Sequence, residues 1–194
     1  VHESIRDSII RTLSEKDIHT VVWIYPYLFE LLLGEALEQD VARETKSILR
    51  ASLDYSYFEV LNFLAIECYF GRNTEGFDLY VKSKSLFCGK ETAEKRLEQF
   101  KHLIKSAFEK GMDLERKIKI CENNIVLDGT HRLSTAFYLY EKELRCDVYP
   151  DSAMSVHSKE AWLTEDVLRA NFDGKTIALF KETKARILKE YCSC

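Results

Sequence analysis

The densest chemistry in the sequence lies in five consecutive residues, Asp128-Gly129-Thr130-His131-Arg132. Glycine, histidine, arginine and a carboxylate meet there at a predicted helix start. A helix N-terminus presents unbonded N–H groups and a partial positive charge, both suited to a phosphate. Gly129 lets the chain turn sharply, and Thr130 or a neighbour caps the helix. Arg132 can grip a phosphate through two N–H bonds, and His131 adds a second donor. Asp128, at the preceding strand end, can hold Mg²⁺ or orient an attacking hydroxyl, and is the metal-ligand candidate of this segment. Ser134 and Thr135 can add hydroxyl contacts. The same residues also fit an ordinary Asp-Gly turn and a threonine-capped surface helix.

Positioning this segment requires a sheet. Lys117 to Cys121 alternates polar and apolar as a half-buried strand does, and Glu122-Asn123-Asn124 reads as a tight turn. Ile125 to Leu127 is a short buried strand. Leu133, Ala136, Phe137 and Tyr140 then repeat at helical spacing, and Leu144 to Tyr149 is another strand. Upstream, Ala93, Leu97, Phe100, Ile104 and Ala107 predict a helix over 90–110, closed by Gly111. Residues 3 to about 50 read as helical, with Ser14 to Asp17 as a capping box and Pro26 as a kink or helix start. Residues 55–70 split into a helix end and a strand near Phe63 to Tyr69. Residues 77–87 suit a short helix or an irregular strand. Lys82 and Lys84 read as lysines that neutralise charge at the site or simply solvate a face. The tail, 158–170 and 176–191, is helical.

Composition narrows the class. Apolar residues make up 46% and charged residues 31%, enough for a substantial core. Two prolines and seven glycines are too few for a turn-rich β-sandwich. A net charge of −4 counts against general nucleic-acid binding. The apolar run 21–33 is too short to span a bilayer and contains Pro26 and Glu30. The six cysteines include no C-x-x-C pair, which suits reduced thiols in a cytoplasmic protein. Cys192-Ser193-Cys194 suits either a metal or redox pair or a frayed end.

The order helix, glycine, strand, turn, strand, D-G-T-H-R, helix, strand resembles the ParB/sulfiredoxin superfamily. V-L-D-G-T-H-R-L-S-T-A is similar to the D-G-[ST]-H-R form found in free serine kinases of that fold. The same form occurs in small ParB-like proteins associated with surface-polysaccharide genes. The resemblance covers roughly residues 62–150 and is specific over 117–149. It implies an α+β fold with a small mixed-sheet core over 55–150. A helical N-terminal extension (1–54) and C-terminal helices (151–194) flank that core. It also implies a nucleotide site on Gly129, Thr130, His131, Arg132 and Ser134.

The implied activity is phosphoryl transfer from ATP or another nucleotide, with Mg²⁺, to a small hydroxyl-bearing acceptor such as a sugar or amino acid. Asp128, His131 and Glu67 are the catalytic candidates. Glu67 stands for the glutamate near the first strand that serves such kinases as base, with Glu75 and Asp78 as rivals. Thr130 replaces the cysteine of sulfiredoxins, which counts against sulfinic-acid reduction. The short tail counts against a partition protein. The alternatives are a non-catalytic nucleotide-binding or protein-interaction module, and a ParB-like DNA-binding or nuclease protein.

Overall fold

The computed structural model describes residues 33–156 and 162–192. The expectations for Ser14 to Asp17, Pro26, the bulk of the 21–33 run and the Cys192–Cys194 pairing lie outside the described residues. Among the described residues, seven α-helices and a four-stranded sheet make an α+β fold. No helix among them is long and apolar enough to cross a membrane.

The sheet comprises β1 (Glu38–Glu44), β2 (Ile118–Cys121), β3 (Val126–Asp128) and β4 (Glu143–Tyr149), in the order β1-β4-β2-β3. The outer pairs are antiparallel and the central β4–β2 pair is parallel. Alternation gives each strand two faces. Val41, Leu144, Cys146, Val148, Ile118, Ile120 and Val126 turn towards the main core. Cys121, Leu127 and Tyr149 turn the other way, into a smaller cluster with Leu33 and Ala153. Burial pushes the Cys121 and Cys146 thiols up to about 12. They therefore behave as small apolar groups rather than reactive thiols.

The main core lies between that first face and the helices α1 (Thr45–Tyr55), α2 (Phe58–Tyr69), α3 (Gly76–Cys88), α4 (Lys90–Lys110), α5 (Thr130–Tyr138), α6 (Glu165–Asn171) and α7 (Gly174–Cys192). Two local expectations are corrected, and a third region takes one of its two expected forms. Residues 38–44, expected inside a helix, are β1 and pair with β4. The stretch from Phe63 to Tyr69, expected to be a strand, continues α2. Residues 76–88 are a regular helix, α3. For residues 38–44, which stay mostly exposed, pairing with β4 overrides the local signal, and for Phe63 to Tyr69 burial does: α2 is apolar nearly all round because it is buried nearly all round. The predicted helix over 90–110 is α4, and Gly111 ends it with φ 84° and an N–H bonded to the Ala107 carbonyl at 2.9 Å.

Helices α2 and α3 form an antiparallel hairpin. Asn73 holds its turn, donating from Nδ2 to the Leu64 carbonyl and accepting from the Gly76 N–H, both at 2.9 Å. Gly76 lies directly on α2. A Cβ there would stand 2.1 Å from the Leu64 oxygen and 2.8 Å from the Cys68 Cβ. Gly76→Ala is therefore expected to cost about 1–3 kcal/mol through overpacking of two backbones. Denaturant unfolding checks this. Gly174, whose backbone is not left-handed and whose Cβ would meet nothing within 4 Å, supplies the comparison for a glycine lacking that close approach.

Candidate functional site

The Asp128–Arg132 segment joins β3 to α5. Gly129 adopts φ 104°, in the left-handed region, and serves as the N-cap of α5. A Cβ on it would stand 2.6 Å from Ile118 Cγ2 and 2.9 Å from Ile118 Cβ. Glycine is thus required twice, for its dihedral angle and for its close approach to β2. The cap falls on Gly129 rather than Thr130, which takes the first helical position, and no side chain caps the helix. The first intrahelical bond runs from the Leu133 N–H to the Gly129 carbonyl, at 2.9 Å. The N–H groups of residues 130–132 precede that ladder, as helix geometry dictates.

Asp128 is exposed at the end of β3. Arg132 is half-buried, and one Nη1 donates to the Lys117 carbonyl at 2.6 Å. That bond anchors the side chain across β2 and leaves further donors of the guanidinium fork. Burial lowers the Arg132 pKa, and the negative charge of Asp128 opposes the shift. Arg132 and Asp128 therefore sit together at the turn.

His131 has a different setting from the one expected of a surface phosphate donor. Its ring stacks on Phe100 of α4, with centroids 4.3 Å apart and planes 16° apart. Its Nε2 shares a 2.6 Å hydrogen bond with Tyr80 Oη of α3. The residue is half-buried by surface, but its ring lies deep in protein. Burial, Lys84 and Arg96 together push its pKa well below the ordinary value. His131 is neutral at physiological pH, so any help it gives an anion is a hydrogen bond, not a charge.

Ser134 and Thr135 are fully buried and their hydroxyls point inward. Ser134 Oγ donates to the Thr130 carbonyl (2.9 Å) and accepts from Asn62 Nδ2 (3.3 Å), while Thr135 Oγ1 donates to the His131 carbonyl (2.8 Å). Ser134 thereby ties the first turns of α5 to α2, while the Thr135 bond stays within α5.

Glu67 is not brought to this turn. It lies near the C-terminal end of α2, where its carboxylate meets Arg186 of α7 at 2.7 Å and its charge acts on Tyr138, the last residue of α5. The 9-residue α5 separates Tyr138 from Gly129, about 12–13 Å at helical rise. Of the rivals, Glu75 pairs with Lys175 of α7 at 3.5 Å, and Asp78 lies in the first turn of α3. No group of three or more histidines, cysteines, aspartates or glutamates suited to a metal occurs among the described residues. A single exposed carboxylate such as Asp128 still fits Mg²⁺, which takes few protein ligands and relies on phosphate oxygens and water.

Beneath the turn lies a polar cluster that local pattern reading missed. Glu59 and Asn62 of α2, and Ser83 and Lys84 of α3, are all nearly or wholly inaccessible to solvent. Glu59 Oε2, Asn62 Oδ1 and Ser83 Oγ have no hydrogen-bond partner. Lys84 Nζ stands 3.7 Å from the centre of the Phe58 ring. Burial pushes the Glu59 carboxyl up to about 7 and the Lys84 ammonium down to about 7, and each opposes the other's shift. A usable signal was present: Glu59 and Asn62 interrupt an otherwise apolar helix three residues apart, on one face.

Glu59 is destabilising as pH rises from 4.5 towards about 7, because the folded state holds its proton more tightly. Lys84 is destabilising below about 7, and its cost is relieved as pH rises towards 10.5. The two costs overlap most near neutrality. Lys84→Met alone is expected to cost about 3–5 kcal/mol, because it strands a buried carboxyl. The double variant Glu59→Leu/Lys84→Met is expected to be neutral or stabilised by about 1–4 kcal/mol, most clearly near pH 7. Thermal denaturation across pH checks both.

Among known proteins, no family model, curated sequence or solved structure matches this chain.

Proposed function

We propose that this chain binds a nucleotide through its phosphates at the start of α5 and transfers a phosphoryl group to a small hydroxyl-bearing acceptor. The observation that carries the reading is the β3–Gly129–α5 turn. An uncapped helix start follows a left-handed glycine packed on β2, with the anchored guanidinium of Arg132 beside it. Unbonded N–H groups, the helix dipole and an arginine fork together favour a polyanion. The resemblance of V-L-D-G-T-H-R-L-S-T-A to the D-G-[ST]-H-R form supports the same reading, and with it membership of the ParB/sulfiredoxin superfamily.

In this reading the N–H groups of residues 130–132 and Arg132 hold phosphate oxygens. Asp128 supplies the protein ligand for Mg²⁺, which when bound neutralises charge on the transferring group. His131, held by Tyr80 and Phe100, orients without adding charge. Ser134 acts through the helix, not on the ligand. ATP is the simplest donor, and the acceptor is a sugar or an amino acid.

One observation favours a second reading, a nucleotide-binding module without catalysis. The expected base, Glu67, is held by Arg186 at the far end of α5. Asp128 is then the exposed carboxylate at the turn.

Calorimetry with ATP, with and without Mg²⁺, tests the site. Wild type is expected to bind, and Arg132→Ala to weaken binding by about tenfold or more, the loss of a charge-assisted contact. Absence of binding to wild type removes both readings. Given binding, phosphate transfer to serine or simple sugars separates them. Glu67→Gln is expected to leave ATP affinity unchanged and to lower thermal stability modestly through loss of the ion pair with Arg186.

A further inference from the structure

Helices α2 and α5 run parallel. Asn62 meets Ser134, Phe63 packs against Phe137 and Tyr138 with ring centroids 5.9 and 5.8 Å apart, and Phe70 stacks over Tyr138. Position rises along both helices together. Glu59, one turn before Asn62, therefore stands level with Thr130 and His131, one turn before Ser134. The antiparallel α3 brings Lys84 to the same level, since Lys84 lies on Phe58 and Phe87 packs on the same ring at 5.4 Å. Tyr80, one turn from Lys84 on the same helix, holds His131. The first turn of α5 thus rests on a buried carboxyl and a buried amine, and one oxygen of that carboxyl lacks a partner.

We propose that Glu59 and Lys84 form the buried counter-charge of the α5 start, so that an anion arriving at Gly129–Arg132 is accompanied by a proton taken up on this pair. The inference rests on the phosphate reading of the turn.

The proton comes from solvent and forms one new O–H or N–H bond within the pair, with no change in oxidation state. The two groups are coupled, because Lys84 is the foremost charge acting on Glu59, and Glu59 is the foremost opposite charge acting on Lys84, against Arg96. Both stand near neutral pH, where a small change in local potential moves a proton. The charged and titratable groups around them are few. Glu59 faces Lys84 from α3 and Lys184 from α7. Lys84 faces Glu59, Cys88 of its own helix, Arg96 of α4 and His131 of α5. Cys88 holds its proton, because burial raises its pKa. His131 is the obvious rival acceptor, but its ring is desolvated, stacked and bonded to Tyr80, and Lys84 and Arg96 both disfavour its charging. An anion at the helix start raises the proton affinity of everything beneath it, and the pair is the group poised to respond.

Sulfate is the probe, because it is a dianion that does not itself titrate near neutrality. Its affinity is read from thermal stabilisation of the whole chain, between about pH 6 and about pH 8. Wild type is expected to lose up to about tenfold in sulfate affinity per pH unit above about pH 7, the limit for one linked proton. Glu59→Leu/Lys84→Met is expected to bind sulfate with little dependence on pH. This variant removes both charges together and so avoids the unfolding risk of stranding one. Sulfate binding whose pH dependence is the same in wild type and double variant overturns the coupling and leaves the phosphate reading standing. No sulfate or ATP binding to wild type at any pH overturns both.

Discussion

The closest approach at the site is between Gly129 and Ile118. A hydrogen where a methyl would be lets the β3–α5 turn lie flat on β2, and the rest of the site follows from it. It sets where α5 begins, which way its N–H groups face and how Arg132 reaches back to the Lys117 carbonyl. Ile118 is itself 1% exposed and sits in the main core, so neither partner can yield without opening packed apolar surface. The turn is therefore firmly held in place by its packing.

Much of this was written in local pattern. Lys117 to Tyr149 alternates, turns and then repeats at helical spacing, and β2, β3, α5 and β4 form where those periods change. The Lys90–Lys110 stripe was equally plain. What local pattern lacked was partners. Glu38 to Glu44 looks helical by composition and becomes a strand because β4 offers an edge. The Phe63–Tyr69 half of α2 looks like a strand by its aromatics and stays helical because α3, α5 and α7 enclose it. Asp128, Gly129 and Arg132 could be proposed as a phosphate-binding group from type and spacing alone. The inward turn of Ser134, the aromatic seat of His131 and the Arg186 tether of Glu67 depend on residues 31 to 119 positions away in sequence, which no short window of sequence contains.

The buried Glu59–Lys84 cluster is a conflict between stability and position. An apolar core of the same shape would fold at least as well, by the general behaviour of buried charge pairs. Keeping two ionisable groups, one with an unpartnered oxygen, beneath one helix start concentrates cost where the chemistry is proposed to occur. Sites that bind charge commonly carry such local disagreements with the rules that govern the rest of a core.

At the opposite border of the sheet, β1 is built to end it. Asp40 adopts φ 56° where the β1–β4 register shifts, its amide is taken by Asp147, and its carboxylate grips Arg145 through both oxygens. An irregular, charge-studded margin makes a poor template for another strand. Among the described residues β1 is thus a disfavoured edge for strand addition, and a second chain that meets this molecule there would have to recognise side chains rather than backbone.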